Sequence, residues 1–330
     1  MLSRVANTIF WMSRYVERAE NVSRVVDVTL QLMLDLPIAS ASNQWEAVVQ
    51  TTGDQPLFRD LYGEPNGDSV IRFLTFDRRN PNSILSCLGA ARENARMVRD
   101  VITNDMWEQL NTFYLLVQNA ARADEPYDMP HEFFAEVRSA SHRFLGATDA
   151  TMSHDEAWHF CRLGRMIERA DKTTRILDVK YFLLLPEVGD VGTSIDDLQW
   201  TAVLHSASAM QMYRRRYGQV TPERVIDFLL LNREFPRAVH FCLVAADNSL
   251  HAIGGTPIGT FRNSAERCVG QLRSELAYSD VKTIIHAGMH EVLDRLQSRL
   301  NDLGHEIHES FFSPTLLKGS PRPAAAVQTQ

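Results

Sequence analysis

Residues 14–28 read RYVERAENVSRVVDV, and residues 165–179, which begin 151 positions later, read RMIERADKTTRILDV. Seven of these fifteen aligned positions are identical. Both stretches repeat apolar residues three and four positions apart, which is the spacing of a helix with one buried face. The two segments therefore predict two related amphipathic helices, and their likeness indicates a duplication within the chain.

Two further blocks repeat in the same order along the chain. Residues 44–48, QWEAV, return as residues 199–203, QWTAV. Residues 70–91 agree with residues 225–246 at ten of twenty-two positions. We therefore predict two homologous halves, 1–150 and 151–312, that pack into one unit about a pseudo-twofold axis, as the subunits of a homodimer do.

Helix signals dominate the rest of the chain, and no alternating strand of useful length occurs. The fold class predicted is all-α, an internally duplicated helical bundle. The segment 313–330 is rich in Pro and Ala and is expected to be a disordered tail. Capping residues and apolar periodicity predict helices near 2–35, 43–51, 68–76, 83–102, 104–122, 130–148, 154–185, 195–216, 222–231, 236–252, 260–278 and 280–309.

Composition excludes several classes of protein. The net charge of −7 argues against a general nucleic-acid-binding protein, which carries a basic excess. The four cysteines include no Cys-x-x-Cys pair, which is typical of buried thiols in a reducing compartment. No apolar run reaches the length of a membrane span, and no secretory leader is recognisable. These features predict a soluble cytoplasmic protein.

The most polar feature of the repeat is a charged stripe on each of the two related helices. Arg14 and Arg18 lie four residues apart and repel each other, so an anion is expected opposite them. That anion could be the glutamate of the other copy, another acid of the chain, or a ligand carboxylate or phosphate. The stripe residues are Arg14, Glu17, Arg18, Asn21 and Arg24 in the first copy, and Arg165, Glu168, Arg169, Lys172 and Arg175 in the second.

Three interpretations of these stripes are open. They could form a salt-bridge lattice that joins the two halves, because each repeat also carries enough acids to neutralise its arginines. They could form a ligand site. Alternatively, Glu17 and Glu168 could act as general acid or base in an active site, with their pKa values raised by each other and lowered by the arginines.

A second charged cluster, formed by Arg92, Glu93 and Arg96, has no charged equivalent at residues 247–251 apart from Asp247. Such asymmetry is expected of a binding site confined to one half, and equally of a solvated surface. No metal site is predicted, since the histidine and acid spacings at residues 156–159, 286–290 and 302–308 match no complete ligand set. No phosphate-binding glycine loop and no activated nucleophile motif is present, and no cofactor is predicted.

Four segments carry a resemblance to a known family: residues 1–27, NPNSI at 80–84, ARENAR at 91–96 and LGRMIERAD at 163–171. They are similar to the bacterial alpha-E domain family, a helical domain named for a Glu-Arg motif, and the resemblance extends over residues 1–312. It implies a wholly helical fold. It also implies two partners, a circularly permuted ATP-grasp protein and a transglutaminase-like thiol peptidase encoded nearby, and hence a system that forms or processes amide bonds in peptides.

Together these observations favour an auxiliary binding component of such an ATP-grasp-linked system. In this interpretation the duplicated Arg/Glu residues grip a ligand or partner that bears carboxylate or phosphate groups. The alternatives are an enzyme of amide transfer or hydrolysis that uses Glu17 or Glu168, and a pure scaffold. The lack of a recognisable catalytic motif favours the binding role over catalysis.

Overall fold

The computed structural model describes residues 1–35, 41–123, 130–182 and 194–313, and all regular structure in these ranges is helical, as predicted. The helices are α1 (Ser3–Asp35), α2 (Ala41–Thr52), α3 (Gln55–Tyr62), α4 (Gly67–Thr75), α5 (Ile84–Met97), α6 (Asn104–Ala123), α7 (Pro130–Thr151), α8 (Glu156–Phe182), α9 (Ser194–Ser206), α10 (Met210–Tyr217), α11 (Pro222–Ile226), α12 (Val239–Gly254), α13 (Ser264–Ala277), α14 (Val281–His286) and α15 (Met289–Ile307). Single π-helical turns, Asp227–Leu231 and His308–Phe312, follow α11 and α15. Apart from Ser313, the predicted tail lies outside the described residues.

Two of the predicted helices are broken, and one helix was not predicted. The segment 195–216 divides into α9 and α10, because Ser208 takes a left-handed conformation with φ 52°. The segment 280–309 divides into α14 and α15 at Gly288, whose φ is 84°. Helix α3 has only eight residues and begins with proline at its first turn, so its apolar periodicity is too short to recognise in the sequence.

The two long helices α1 and α8 lie side by side at the centre of the molecule. Helix α1 also packs on α5, α7 and α9, and α8 packs on α12, α15 and α2. The sequence repeat pairs α5 with α12 and α2 with α9, so each long helix contacts corresponding neighbours. One hydrophobic core runs through both predicted halves. The division at residue 150 falls at the end of α7 and stays a prediction.

A glycine lets α1 and α8 approach each other closely. Gly164 on α8 faces the backbone of Phe10 on α1, and a Cβ at this position would collide with the Phe10 carbonyl oxygen. The side chain of Arg14 lies 3.3 Å from the same Cβ position. The approach at Gly164 brings the charged faces of the two helices within reach of each other.

Candidate functional site: the Glu-Arg network

Helical spacing places the charged residues of α1 and α8 on the faces where these helices meet. Glu17 lies three residues after Arg14 and one before Arg18, so the three side chains project from one side of α1. Glu168 occupies the same place on α8, between Arg165 and Arg169. Glu17 and Glu168 are 1% and 0% exposed, so each carboxylate is sealed from solvent.

Each of these carboxylates is held by the arginine of the other helix. Arg169 donates from Nε to Glu17 Oε1 and from Nη2 to Oε2, both at 2.8 Å. Arg18 donates from Nε to Glu168 Oε1 at 2.7 Å and from Nη2 to Oε2 at 3.0 Å. Both pairs have the planar two-bond geometry that makes arginine–carboxylate contacts strong and directional. The Glu-Arg pair of one copy is therefore bonded crosswise to that of the other.

A second guanidinium completes each carboxylate site, but it comes from a different part of the fold in each case. Glu168 also accepts from Arg14 Nε at 2.9 Å. Glu17 accepts instead from Arg237 Nη1 at 2.8 Å, and Arg237 lies just before α12. The repeat aligns Asn82 with Arg237. The Asn82 side-chain oxygen accepts a hydrogen bond from Arg18 Nη1 at 2.6 Å. Each glutamate therefore accepts hydrogen bonds from two arginines. The aligned residues Asn82 and Arg237 differ, because Arg237 bonds a glutamate and Asn82 bonds an arginine.

The surrounding charges fix both glutamates in the ionised state. Burial of Glu17 favours its neutral form, but Arg169 and Arg237 outweigh this effect and lower its pKa to about 2. Burial likewise opposes ionisation of Glu168, and Arg18 and Arg14 lower its pKa well below the usual range. A carboxylate that is buried, fully bonded and ionised at neutral pH is a poor proton donor or acceptor. This geometry does not suit the catalytic role considered for Glu17 and Glu168.

The comparisons with known proteins agree with the fold and with this motif. The Alpha-E family, described as a predicted alpha-helical domain with a conserved ER motif, matches residues 1–312. The chain belongs to this family.

Curated relatives of the Alpha-E chain include uncharacterised proteins from Mycobacterium bovis and from two strains of Mycobacterium tuberculosis. Each is 25% identical to it over 339 aligned positions, which cover 93% of this chain and 35% of the relative. The chain thus spans about a third of the length of these relatives. No solved structure matches it.

In the Alpha-E chain the network continues along both long helices beyond the glutamates. Asp27 on α1 is bonded to His131 Nδ1 at 2.6 Å and to Arg138 Nη1 at 2.7 Å, both from α7. Asp178 on α8 is bonded to His290 Nδ1 at 2.7 Å and to Gln297 Nε2 at 3.4 Å, both from α15. The contacts again correspond, except that glutamine stands in place of arginine.

Two other stripe residues of α1 join the Glu17 side of the network. Asn21 donates weakly to Glu17 Oε1 at 3.4 Å and accepts from Arg237 Nη1 at 2.9 Å. Arg24 is bonded through Nη2 to Glu20 Oε1. Glu20 also accepts hydrogen bonds from Arg237 Nη2, at 2.7 Å to Oε1 and at 2.6 Å to Oε2. This side therefore forms a continuous buried cluster.

The three remaining stripe residues of α8 pair with aspartates instead of a motif glutamate. Lys172 Nζ lies 3.5 Å from Asp171 Oδ2. Arg175 donates from Nε to both carboxylate oxygens of Asp171, at 2.9 and 3.0 Å. Arg165 has only a long ion pair with Asp149, at 3.9 Å, although it is nearly buried. Its Nε has no hydrogen-bond partner among the described residues.

The second predicted cluster lies apart from this network. Arg92 on α5 donates from Nε to Asn111 at 2.7 Å, and its guanidinium lies over the ring of Tyr114. Arg96 pairs with Glu93 at 2.8 Å, and both side chains are more than half exposed. These residues form a solvated surface group held by its own neighbours.

Sequence reasoning missed Arg237 and Asn82, which are bonded to stripe residues, and Arg138, which donates to Asp27. Arg237 and Asn82 could have been noticed, because they differ within the repeated block that contains Pro81 and Pro236. Arg138 lies outside the three repeated blocks, so the repeat did not single it out. Within the described ranges, no group of three or more His, Cys, Asp or Glu residues is placed to hold a metal ion. None of the helices found there is both long and apolar enough to cross a membrane.

Proposed function

We propose that this Alpha-E chain is a non-catalytic binding component in which the Glu-Arg network joins two duplicated halves about a pseudo-twofold axis. The observation that carries the proposal is the crosswise bonding of Glu17 by Arg169 and of Glu168 by Arg18. Because each bond needs one residue from each long helix, the motif is satisfied only when the two helices are docked.

Such a network specifies how the halves pair more than it adds net stability. Two desolvated charges recover little beyond the energy lost in leaving water, but an unpaired buried charge is costly. A wrong alignment of α1 on α8 would leave Glu17 or Glu168 without its arginine. The duplicated motif therefore selects one docking geometry.

The role proposed for the joined halves is to hold a carboxylate- or phosphate-bearing ligand or partner for an ATP-grasp-linked system that forms amide bonds. We further propose a circularly permuted ATP-grasp protein and a transglutaminase-like protein as partners, and the cytoplasm as the compartment. The family resemblance and the absence of a recognisable nucleotide-binding or nucleophile motif in the sequence support the component role. The four unpaired cysteines support a reducing compartment.

Co-expression tests this role directly. The full chain, tagged and produced together with the ATP-grasp protein, is expected to co-elute with it in size-exclusion chromatography. A surface variant, Glu136→Ala, serves as a control, because Glu136 makes only an exposed pair with Arg143. Failure of the folded chain to associate with the ATP-grasp protein and with the transglutaminase-like protein would remove the proposed role.

A pure scaffold is the second candidate function, and the sealing of both motif glutamates favours it. The two roles differ in their dependence on ligands. A scaffold gains no thermal stability from any carboxylate or phosphate compound, whereas a binding component is stabilised by the compound that it binds. Catalysis by Glu17 or Glu168 would instead require loss of turnover in a folded Glu17→Gln variant.

A further inference from the structure

A polar cavity of about 320 Å³ lies beside the Glu17 side of the network. Helix α1, helix α7 and the break between α9 and α10 enclose it. Its volume is at the lower end of the range for small-molecule sites. The polar groups of its lining are Arg24, Asp27, Gln31, Arg138, His205, Ser208 and Gln211, and the Asp27 carboxylate is bonded to Arg138.

Arg24 forms the buried wall of this cavity and is incompletely bonded. Its Nη2 is bonded to Glu20 and its Nη1 to Ser208 Oγ, while Nε has no partner among the described residues. Arg24 is 6% exposed. Because this Nε is itself buried, Arg24 contributes positive charge to the wall of the cavity.

Positive charge exceeds negative charge around this wall. Glu17, Glu20 and Asp27 face four buried or half-buried arginines, Arg24, Arg138, Arg169 and Arg237. His142 also approaches Glu20, at 3.6 Å, but burial and the neighbouring Arg24 lower its pKa, so it adds no positive charge at neutral pH. Burial, and then the charges of Arg237 and Arg138, lower the pKa of Arg24 well below its usual value. The arginines of this cluster thus outnumber its carboxylates by one.

The other half lacks two of the donors that line the cavity. Gly53 occupies the position that the repeat pairs with Ser208, and it too has a positive φ, of 82°. Serine adopts this conformation at an energetic cost that glycine avoids. Gln297 contacts Asp178 where Arg138 contacts Asp27. The Ser208 hydroxyl and the Arg138 guanidinium thus have no equivalent at the corresponding positions, which are Gly53 and Gln297.

We propose that this cavity binds the oxyanion group, carboxylate or phosphate, of a small ligand. Arg138, whose Nη1 is bonded to Asp27, would contact the anion with its other N–H groups, and the buried Arg24 would add positive charge behind it. Ser208, Gln31 and Gln211 also line the cavity. The inference rests on the proposed binding function and deepens it, because it places the ligand in one half and outside the Glu-Arg pairs.

Calorimetry on the full chain tests this site with two probes, inorganic phosphate and L-glutamate. We expect one of them to bind with a stoichiometry of one per chain. Arg138→Gln, which copies the residue of the other half, is expected to weaken that binding about tenfold or more, since one charge-assisted contact is lost. Arg24→Lys keeps a charge but loses the planar fork, and is expected to weaken it as well. The probe that binds identifies the ligand group as phosphate or carboxylate.

Arg96→Gln is the matched control, because Arg96 is an exposed arginine paired with Glu93. It should bind the probe as the unchanged chain does. Circular dichroism establishes that each variant is folded. Absence of binding by both probes at millimolar concentration, or unchanged binding by folded Arg138→Gln, would overturn the inference. Association with the ATP-grasp protein is measured separately, so loss of the oxyanion site leaves the proposed component role standing.

Discussion

The two motif glutamates lie in the same local arrangement, yet their surroundings differ in burial and charge. Glu168 is held by Arg14 and Arg18, whose side chains are 14% and 16% exposed. Glu17 is held by Arg169 and Arg237, each 9% exposed, and is continuous with Glu20 and its arginine contacts. Both glutamates are bonded crosswise by an arginine of the other long helix, while the arginines on the Glu17 side are more buried and lie beside a polar cavity. Substitutions can therefore change the crosswise Glu-Arg pairs and the cavity separately.

Removing the carboxylate on the more buried side should have the largest effect. Glu17→Ala leaves Arg169 and Arg237 without their anion, and is expected to lower the free energy of unfolding by about 3–5 kcal/mol. Glu168→Ala should cost less, because Arg14 and Arg18 can be partly hydrated. Urea denaturation of the two variants measures this order. Equal losses, or a larger loss for Glu168→Ala, would contradict the distinction between the two sides.

Acid should weaken the Glu17 side through its lowered pKa. The pKa of Glu17 falls from about 4.5 to about 2 on folding, so the ionised carboxylate stabilises the fold. This contribution is complete above the unfolded value and is lost as pH falls from about 4.5 to about 2. Urea midpoints measured between pH 6 and pH 3 should fall more steeply for the unchanged chain than for Glu17→Gln. Parallel curves would show that Glu17 is not the titrating group.

The close approach of α1 and α8 that both sides share should be sensitive to volume. Gly164→Ala places a methyl group against the Phe10 carbonyl, and is expected to cost about 1–3 kcal/mol by forcing the helices apart. Gly146→Ala on α7 is the control, because a Cβ there meets nothing within 4 Å. It should be neutral or stabilise the chain by up to about 1 kcal/mol, since alanine favours helix. Similar losses in both variants would argue against the contact at Gly164.

The smallest change in the free energy of unfolding is expected in the exposed cluster of Arg92, Glu93 and Arg96, which lies outside the Glu-Arg network. Arg96→Gln removes a pair with Glu93 that solvent already screens, so the free energy of unfolding should change by less than about 0.5 kcal/mol. Thermal unfolding of this variant checks the assignment. A large loss would indicate that Arg92, Glu93 and Arg96 take part in the core network after all.

Much of the crosswise Glu-Arg pairing could be predicted from the sequence, because the two similar segments carry the same Glu and Arg positions. The apolar spacing of residues 14–28 and 165–179 predicts the two long helices, and the repulsion of Arg14 and Arg18 predicts an anion opposite, here Glu168. Local signals also explain the breaks: Gly288 could have marked the end of α14, but a left-handed serine at position 208 is too rare to predict.

The cavity could not be predicted in the same way. Its wall joins Arg24 on α1 with Arg138 on α7 and Ser208 between α9 and α10, residues that are distant in sequence and follow no common spacing. Arg237 likewise reaches Glu17 across 220 positions of chain. Such contacts depend on how the helices pack, and no periodic pattern within one helix encodes them.

The central claim is that Glu17 on α1 and Arg169 on α8 are energetically coupled. A double-mutant cycle with Glu17→Gln, Arg169→Gln and the double variant measures that coupling in urea denaturation. The crosswise joint predicts a coupling free energy of about 2 kcal/mol or more, because either single change leaves a buried partner unsatisfied. Losses that add within about 0.5 kcal/mol would contradict it.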